Sequence, residues 1–259
     1  MTVSGSDKIM AGRPALNFVG REMIADRLVA SAGSGHGVFL LAAPGAGASE
    51  LLKQTYDRLF REQQEIIPFY FPVRKTYRSR TEFAESFLND FIHQLIAFRR
   101  REPALVGAAV GLDELHELSL SVSGIWIDRM IDTARNGPSS RDFVRSCLGA
   151  PARAGIHGAP SFVMIDDVHE ILPIEGGAEL FEELNEIFEG SDLSYVFSGQ
   201  RRFLHQHVVR TRMELTDLKL EDAARLVDAL ANESGLSITE QPRDLIATQL
   251  KGNPALIHL

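Results

Sequence analysis

The chain of 259 residues holds a single cysteine, Cys147. An internal disulfide is excluded, and a reducing compartment, the cytoplasm, is the expected location. No apolar run approaches the roughly 18 residues that a membrane-spanning helix needs, so membrane insertion is not expected. The first residues, MTVSGSDKIMAGRP, lack the apolar centre of a secretory signal. Positive charge is in deficit as well: 27 Lys and Arg against 35 Asp and Glu give a net charge of -8. A dedicated nucleic-acid binder usually carries the opposite balance, so nucleic acid is not the favoured partner. Two local basic clusters, Arg74-Lys75-Arg78-Arg80 and Arg99-Arg100-Arg101, read as solvated faces or helix ends. One more absence is local: no Lys or Arg occurs from Val38 to Leu52.

What is present fits a globular protein, 44% hydrophobic and 24% charged. Short continuous apolar runs alternate with longer segments of helical period. VFLLAA (38–43), IIPFYFPV (66–73), SFVMIDDVHEI (161–171) and LSYVFSGQ (193–200) read as strands buried on both faces. The prolines of the second run place it at a sheet edge or a strand end. REMIADRLVASA and SELLKQTYDRLFREQ carry helical stripes, and Ser79 with Glu82 forms a capping box before a long helix. On that helix Phe83, Phe87, Phe91 and Leu95 recur at a four-residue interval, which reads as core. GIWIDRMIDTARN and SSRDFVRSCLG read as helices, and GAPARAGIHGAP as a loop. From about Leu215 the strands stop and helical segments follow. The alternation implies an α/β class with a parallel sheet, over 1–214, followed by a small all-helical unit over 215–259.

The glycines between the first strand and its helix are the main chemical signal. A phosphate-binding loop aims backbone N–H groups at an anion beside a helix N-terminus. The full pattern, G-x-x-x-x-G-K-[ST], adds a lysine for the β- and γ-phosphates and a hydroxyl for Mg²⁺. Here the frame is Ala42-Ala43-Pro44-Gly45-Ala46-Gly47-Ala48-Ser49. Gly47 and the hydroxyl of Ser49 are kept, the first glycine is Ala42, and Ala48 stands where the lysine belongs. Lys53 lies a turn further on, where it is expected to face the wrong side. A plain Pro-Gly turn between strand and helix would look the same in isolation.

Other residues narrow the choice. FVMIDD ends a buried strand in two carboxylates, about 120 residues after the loop. Asp166 stands where such a strand supplies an acid for Mg²⁺, and Asp167 where a carboxylate activates water. At the tip of the next strand Ser198 is placed to reach a γ-phosphate or the attacking water. Arg201 and Arg202 follow it, within reach of a phosphate in this subunit or a neighbour. His169 reads as a surface histidine, and Cys147 as buried and inert.

Taken in order, these segments resemble the AAA+-related ATPases of the STAND class, including the archaeal-type ATPase family and cousins of the Orc/Cdc6 initiators. NFVGRE (Asn17–Glu22) resembles the family's box before the first strand, and APGAGAS its Walker A loop. FVMIDDVHE resembles Walker B, KGNPALI (Lys251–Ile257) the Gly-x-Pro motif of a helical lid, and MELTDLKLEDAARLV the link from core to lid. The resemblance implies a three-layer P-loop NTPase core followed by a helical lid. It implies ATP or ADP with Mg²⁺ as cofactor, held by Phe18, Val19, Gly20, Arg21, Pro44, Gly45, Ala46, Gly47, Ala48, Ser49, Glu50 and Pro254. Ser49 and Asp166 would carry the metal, and Asp167 and Ser198 the catalytic roles. The missing lysine departs from the family's pattern and removes a charge worth several kcal/mol in a transition state. Three functions follow. The first is a degenerate, pseudo-ATPase module that acts as an assembly scaffold or switch, with a protein partner such as another ATPase subunit or a second copy. The second is an ATP-hydrolysing enzyme with a non-standard loop. The third is a DNA-associated regulator of the initiator or transposition type.

Overall fold

The structure is a computed structural model that describes residues 8–12, 18–108, 112–119, 125–136, 141–200 and 211–258. Its centre is a five-stranded sheet built from β1 (Gly37–Ala42), β2 (Ile67–Pro72), β3 (Ser161–Asp166), β4 (Ser194–Gln200) and β5 (Thr211–Leu215). The spatial order is β2-β3-β4-β1-β5, and every neighbouring pair is parallel. Helices on both faces explain why these strands are apolar throughout: β1 has the sequence GVFLLA and β3 is buried over its full length. β2, with Pro68 and Pro72, takes the edge, one of the two placements its prolines allowed.

The elements around the sheet follow local chemistry. α1 (Glu22–Ser31) and α2 (Ala48–Glu62) flank β1 in sequence. α3 (Arg80–Arg100) begins where Ser79 accepts a hydrogen bond from the Glu82 amide at 3.2 Å. The Glu82 carboxylate reaches back one residue further than a capping box requires and accepts from the Arg78 amide at 2.8 Å. Phe83, Phe87, Phe91 and Leu95 are all buried, and Phe69 and Phe71 of β2 meet Phe87 edge-on at 5.0 and 5.2 Å between centroids. α4 (Leu112–Ser119), α5 (Ile125–Asn136) and α6 (Arg141–Leu148) follow.

Two local expectations are corrected. The segment read as a loop contains α7 (Ala150–Ile156), where Pro151 occupies the first turn and its missing N–H breaks no helical bond. β5 adds a strand that its sequence does not signal: TRMEL is short, with charges at alternate positions, and only Met213 and Leu215 are buried. After β3 and a 3-10 turn at Val168–Ile171 comes α8 (Gly177–Glu189). Beyond β5 the elements among the described residues are helices, α9 (Leu220–Glu233), α10 (Glu240–Gln249) and α11 (Pro254–Ile257). Their buried residues, Leu218, Ala223, Ala224, Leu226 and Ala247, form a small cluster apart from the main core. No helix among the described residues is long and apolar enough to cross a membrane.

The topology sets the site. β1 lies between β4 and β5, and the chain leaving β1 crosses over toward β2 at the far edge. In an open parallel sheet a crevice forms beyond the carboxyl ends of strands at such a reversal.

Candidate functional site

The loop after β1 is shaped by its own backbone. Gly45 and Gly47 have φ of +76° and +88°, a region that costs L side chains and suits glycine. The Ala46 amide closes a turn onto the Ala43 carbonyl at 3.0 Å. Gly47 then caps α2, whose first bond runs from the Leu51 amide to the Gly47 carbonyl at 3.0 Å. The amides ahead of Leu51 precede the helical ladder and point out of its end, as in any anion-receptive helix start.

This loop forms one wall of a cleft of about 510 Å³. Phe18, Val19, Leu218, Leu226 and Pro254 line it with apolar surface. Pro44 to Glu50, Lys53, Asp167, His169 and Ser198 line it with backbone and polar groups. Of the sequence-predicted residues, Phe18, Val19, Arg21, the whole run Pro44–Glu50, Asp167, Ser198 and Pro254 border this one cleft. Gly20 and Asp166 do not border it, and Asp166 is only 2% exposed. With φ of +74°, Gly20 packs where a Cβ would sit 2.7 Å from Asp222, so it brings residue 21 close to α9. Arg201 and Arg202 lie outside the described residues, as does Asn17.

Arg21 is 8% exposed, and its Nη2 donates to the carbonyls of Ala46, at 3.2 Å, and of Thr216. One guanidinium therefore ties the phosphate-type loop to the segment leading into the helices. Burial lowers its pKa, and the charges of Asp217 and Asp222 oppose that shift. A second tie comes from Asn253, whose Nδ2 donates to the Pro44 carbonyl at 3.0 Å and to Asp217 Oδ1 at 2.9 Å. The Ala255 amide adds a bond to the Gly45 carbonyl at 3.2 Å. The helical segment is thus docked directly on the loop.

The strand-end acids are arranged differently from each other. Asp166 is 2% exposed and accepts three hydrogen bonds. Tyr70 Oη donates to Oδ2 at 2.8 Å, while Ser198 Oγ and the Asp167 amide, the latter at 3.1 Å, donate to Oδ1. A carboxylate has about four acceptor positions, so about one remains unfilled. Ser198 thus turns its hydroxyl onto Asp166, and is itself 1% exposed. Asp167 is exposed to the cleft in a left-handed conformation, φ of +54°. Although it faces the cleft, its carboxyl is partly desolvated by the walls around it; that desolvation first, and then the charge of Asp166, raises its pKa, against the pull of His169 and Lys75. Tyr70 is raised far more strongly, chiefly by burial and next by Asp166.

Two sequence expectations shift at this point, and one residue is added. Lys53 does not face the wrong side: Ser49 and Lys53 are four residues apart on α2 and border the same cleft. Its Nζ stands 5.7 Å from the centroid of the Tyr70 ring. His169 is no surface group, with a side chain only 16% exposed, 3.4 Å from Glu170. Tyr70 was missed altogether, because an aromatic inside an apolar strand signals core and nothing else. Cys147 is buried as expected, its thiol pushed up to about 12 chiefly by desolvation. The basic clusters are largely engaged in the fold. Lys75 pairs with Glu170 at 3.3 Å and Arg100 with Glu102 at 2.9 Å, and Arg101 bonds the carbonyls of Phe60 and Gln63.

Comparison with solved structures decides the architecture. The chain superposes on the Walker-type ATPase PABY2304 of Pyrococcus abyssi with a TM-score of 0.63 and 13% identity, covering 96% of this chain and 69% of that one. This is the AAA+ P-loop NTPase fold. Domain III of the replication initiation protein DnaA of Thermotoga maritima matches with a TM-score of 0.51 and 15% identity, over 95% of this chain and 86% of that one. The ORC2 protein of Aeropyrum pernix, solved as ADPNP-ADP complexes, matches at 0.52 and 12%, over 92% of this chain and 59% of that one. No family model and no curated protein matches the sequence.

Proposed function

We propose that the chain is an AAA+-type nucleotide-binding module that holds ATP or ADP without efficient hydrolysis and serves as a switch or scaffold in a protein assembly. Residues 1–214 form the nucleotide-binding core and 215–259 its helical lid. The cleft offers what a nucleotide requires: apolar surface from Phe18, Val19, Leu218 and Leu226 for a base, and the amides of Gly45–Ser49 for phosphates. Ser49 would supply the hydroxyl for Mg²⁺ and Asp166 a water-mediated contact.

The observation that carries the slow-hydrolysis part is the state of Asp166. Three donors already fill most of a carboxylate that a catalytic metal needs. Ala48 removes the fixed charge beside the γ-phosphate, and Asp167 is shorter than the glutamate common at its position. Each change acts on the transition state more than on the bound nucleotide, so binding outlasts catalysis. Contacts of Asn253 and Ala255 with the loop give the lid a direct way to sense what the loop holds. The partner is a protein, either an active ATPase subunit or a second copy of this chain. The test is phosphate release by the pure chain with ATP and Mg²⁺. Release near background despite measurable ATP binding is expected, and multiple turnover abolished by Asp166→Asn would favour the working ATPase instead.

A further inference from the structure

We infer that Lys53 takes over the phosphate-binding duty of the missing loop lysine, contacting the β- or γ-phosphate of a nucleoside triphosphate from one turn inside α2. The inference rests on the nucleotide-binding reading of the cleft. No cation is available from Val38 to Leu52. Lys53 borders the cleft with Ser49 and the Gly45–Gly47 loop, and has no ion-pair partner among the described residues. Its ammonium instead rests over the ring of Tyr70, at 5.7 Å from the centroid.

The helix geometry makes the transfer feasible. Side chains on a helix lean toward its N-terminus, so Lys53 covers the turn that holds Ser49. Four residues of helix rise about 6 Å, a distance that lysine's flexible four-carbon stem matches. A triphosphate seated on the loop would place its distal oxygens ahead of that turn. Lys53 Nζ would then exchange the face of an aromatic ring for an anionic oxygen. Tyr70 is the parking place: its hydroxyl is committed to Asp166 Oδ2 at 2.8 Å, which holds the ring still beneath the ammonium. A lysine in this position adds charge to bound phosphate from further back than the loop lysine would. It supports binding, whichever of the two phosphates it meets, from a different direction than the loop lysine would.

The full chain is titrated calorimetrically with ATP and, separately, with AMP, as wild type, Lys53→Met, Lys53→Arg and the double variant Ala48→Lys/Lys53→Met. Thermal melts check that each variant folds. The expected result is a loss of at least tenfold in ATP affinity for Lys53→Met, with AMP affinity unchanged, partial recovery in Lys53→Arg and recovery in the double variant. Unchanged ATP affinity in Lys53→Met overturns the role of Lys53 and leaves the nucleotide reading intact. An equal loss for ATP and AMP also overturns it, because a merely structural lysine would act on both. Absence of ATP binding by wild type overturns the nucleotide reading and the role of Lys53 together.

Discussion

Substituting Tyr70 by Phe removes one oxygen from a side chain that is 5% exposed and leaves its ring in place. The lost group is the donor to Asp166 Oδ2 at 2.8 Å. A hydrogen bond to a charged group contributes about 1.5–3 kcal/mol, and the acceptor left behind is buried. For a chain of this size each kcal/mol shifts the melting temperature by about 2–4 °C. A loss near 2 kcal/mol therefore lowers the melting temperature by about 4–8 °C. Because packing is nearly unchanged, the loss is electrostatic and belongs to the pair. A double-mutant cycle with Asp166→Asn isolates that part, and the two changes should be coupled by about 1 kcal/mol or more. The variant also frees a second acceptor position on Asp166, so added Mg²⁺ should protect Tyr70→Phe against melting more than it protects wild type. The assay is differential scanning calorimetry of the four cycle members, with and without Mg²⁺. A Tyr70→Phe melting temperature within 1 °C of wild type, with no coupling to Asp166→Asn, would refute the reasoning about the nearly filled carboxylate.

Further outcomes follow from the same structure. Asp57, 3% exposed, accepts the amides of Ile9, Met10 and Ala11 at 2.9, 2.8 and 3.3 Å, so Asp57→Ala should cost about 2–3 kcal/mol and open the N-terminal segment to limited proteolysis. Asn253→Ala removes two donations and a helix cap from the lid, a loss of about 1 kcal/mol, and should speed hydrogen exchange of the Ala255 amide. Gly45→Ala places a Cβ 2.7 Å from Asn253 Oδ1 on a backbone at φ of +76°, and should loosen the same contact without touching the lid sequence. Asp167 has a raised pKa, so its folded form binds the proton more tightly than the unfolded chain does. Its ionisation therefore destabilises the fold, with no effect below the ordinary carboxylate value of 3.8 and the full effect once pH exceeds the raised value. Melts of Asp167→Asn across pH should show a gain over wild type that grows upward from that range, and a gain independent of pH would contradict the electrostatic cause.

The strands and the phosphate-type loop were legible because their signals are local. Buried parallel strands such as VFLLA and FVMI have no polar face, and prolines at 68 and 72 mark an edge on their own. β5 escaped because an edge strand with Thr211, Arg212 and Glu214 exposed looks like a connector. The run containing α7 looked like a loop because Pro151 and Gly155 punctuate it, although proline in a first helical turn is harmless. Spacing and resemblance point the loop, the strand-end acids and Pro254 to one place; the loop, Asp167 and Pro254 border one cleft, while Asp166 is buried outside its lining. The side chains that set its chemistry were harder to read. Tyr70 bonds an acid 96 positions away along the chain, a relation created only by the pairing of β2 with β3. Lys53 needed the direction of α2 relative to the sheet before its face could be known. Asn253 sits between the glycine and proline of a recognisable motif, where nothing in the sequence marks its side-chain bond to the Pro44 carbonyl.

The most direct test of nucleotide holding without efficient hydrolysis is a single-turnover experiment. Excess pure chain is mixed with γ-labelled ATP and Mg²⁺, and bound label is separated from free phosphate over several hours. The account predicts that label stays with the protein as intact ATP. Prompt conversion to free phosphate, or no retained label at all, would contradict it.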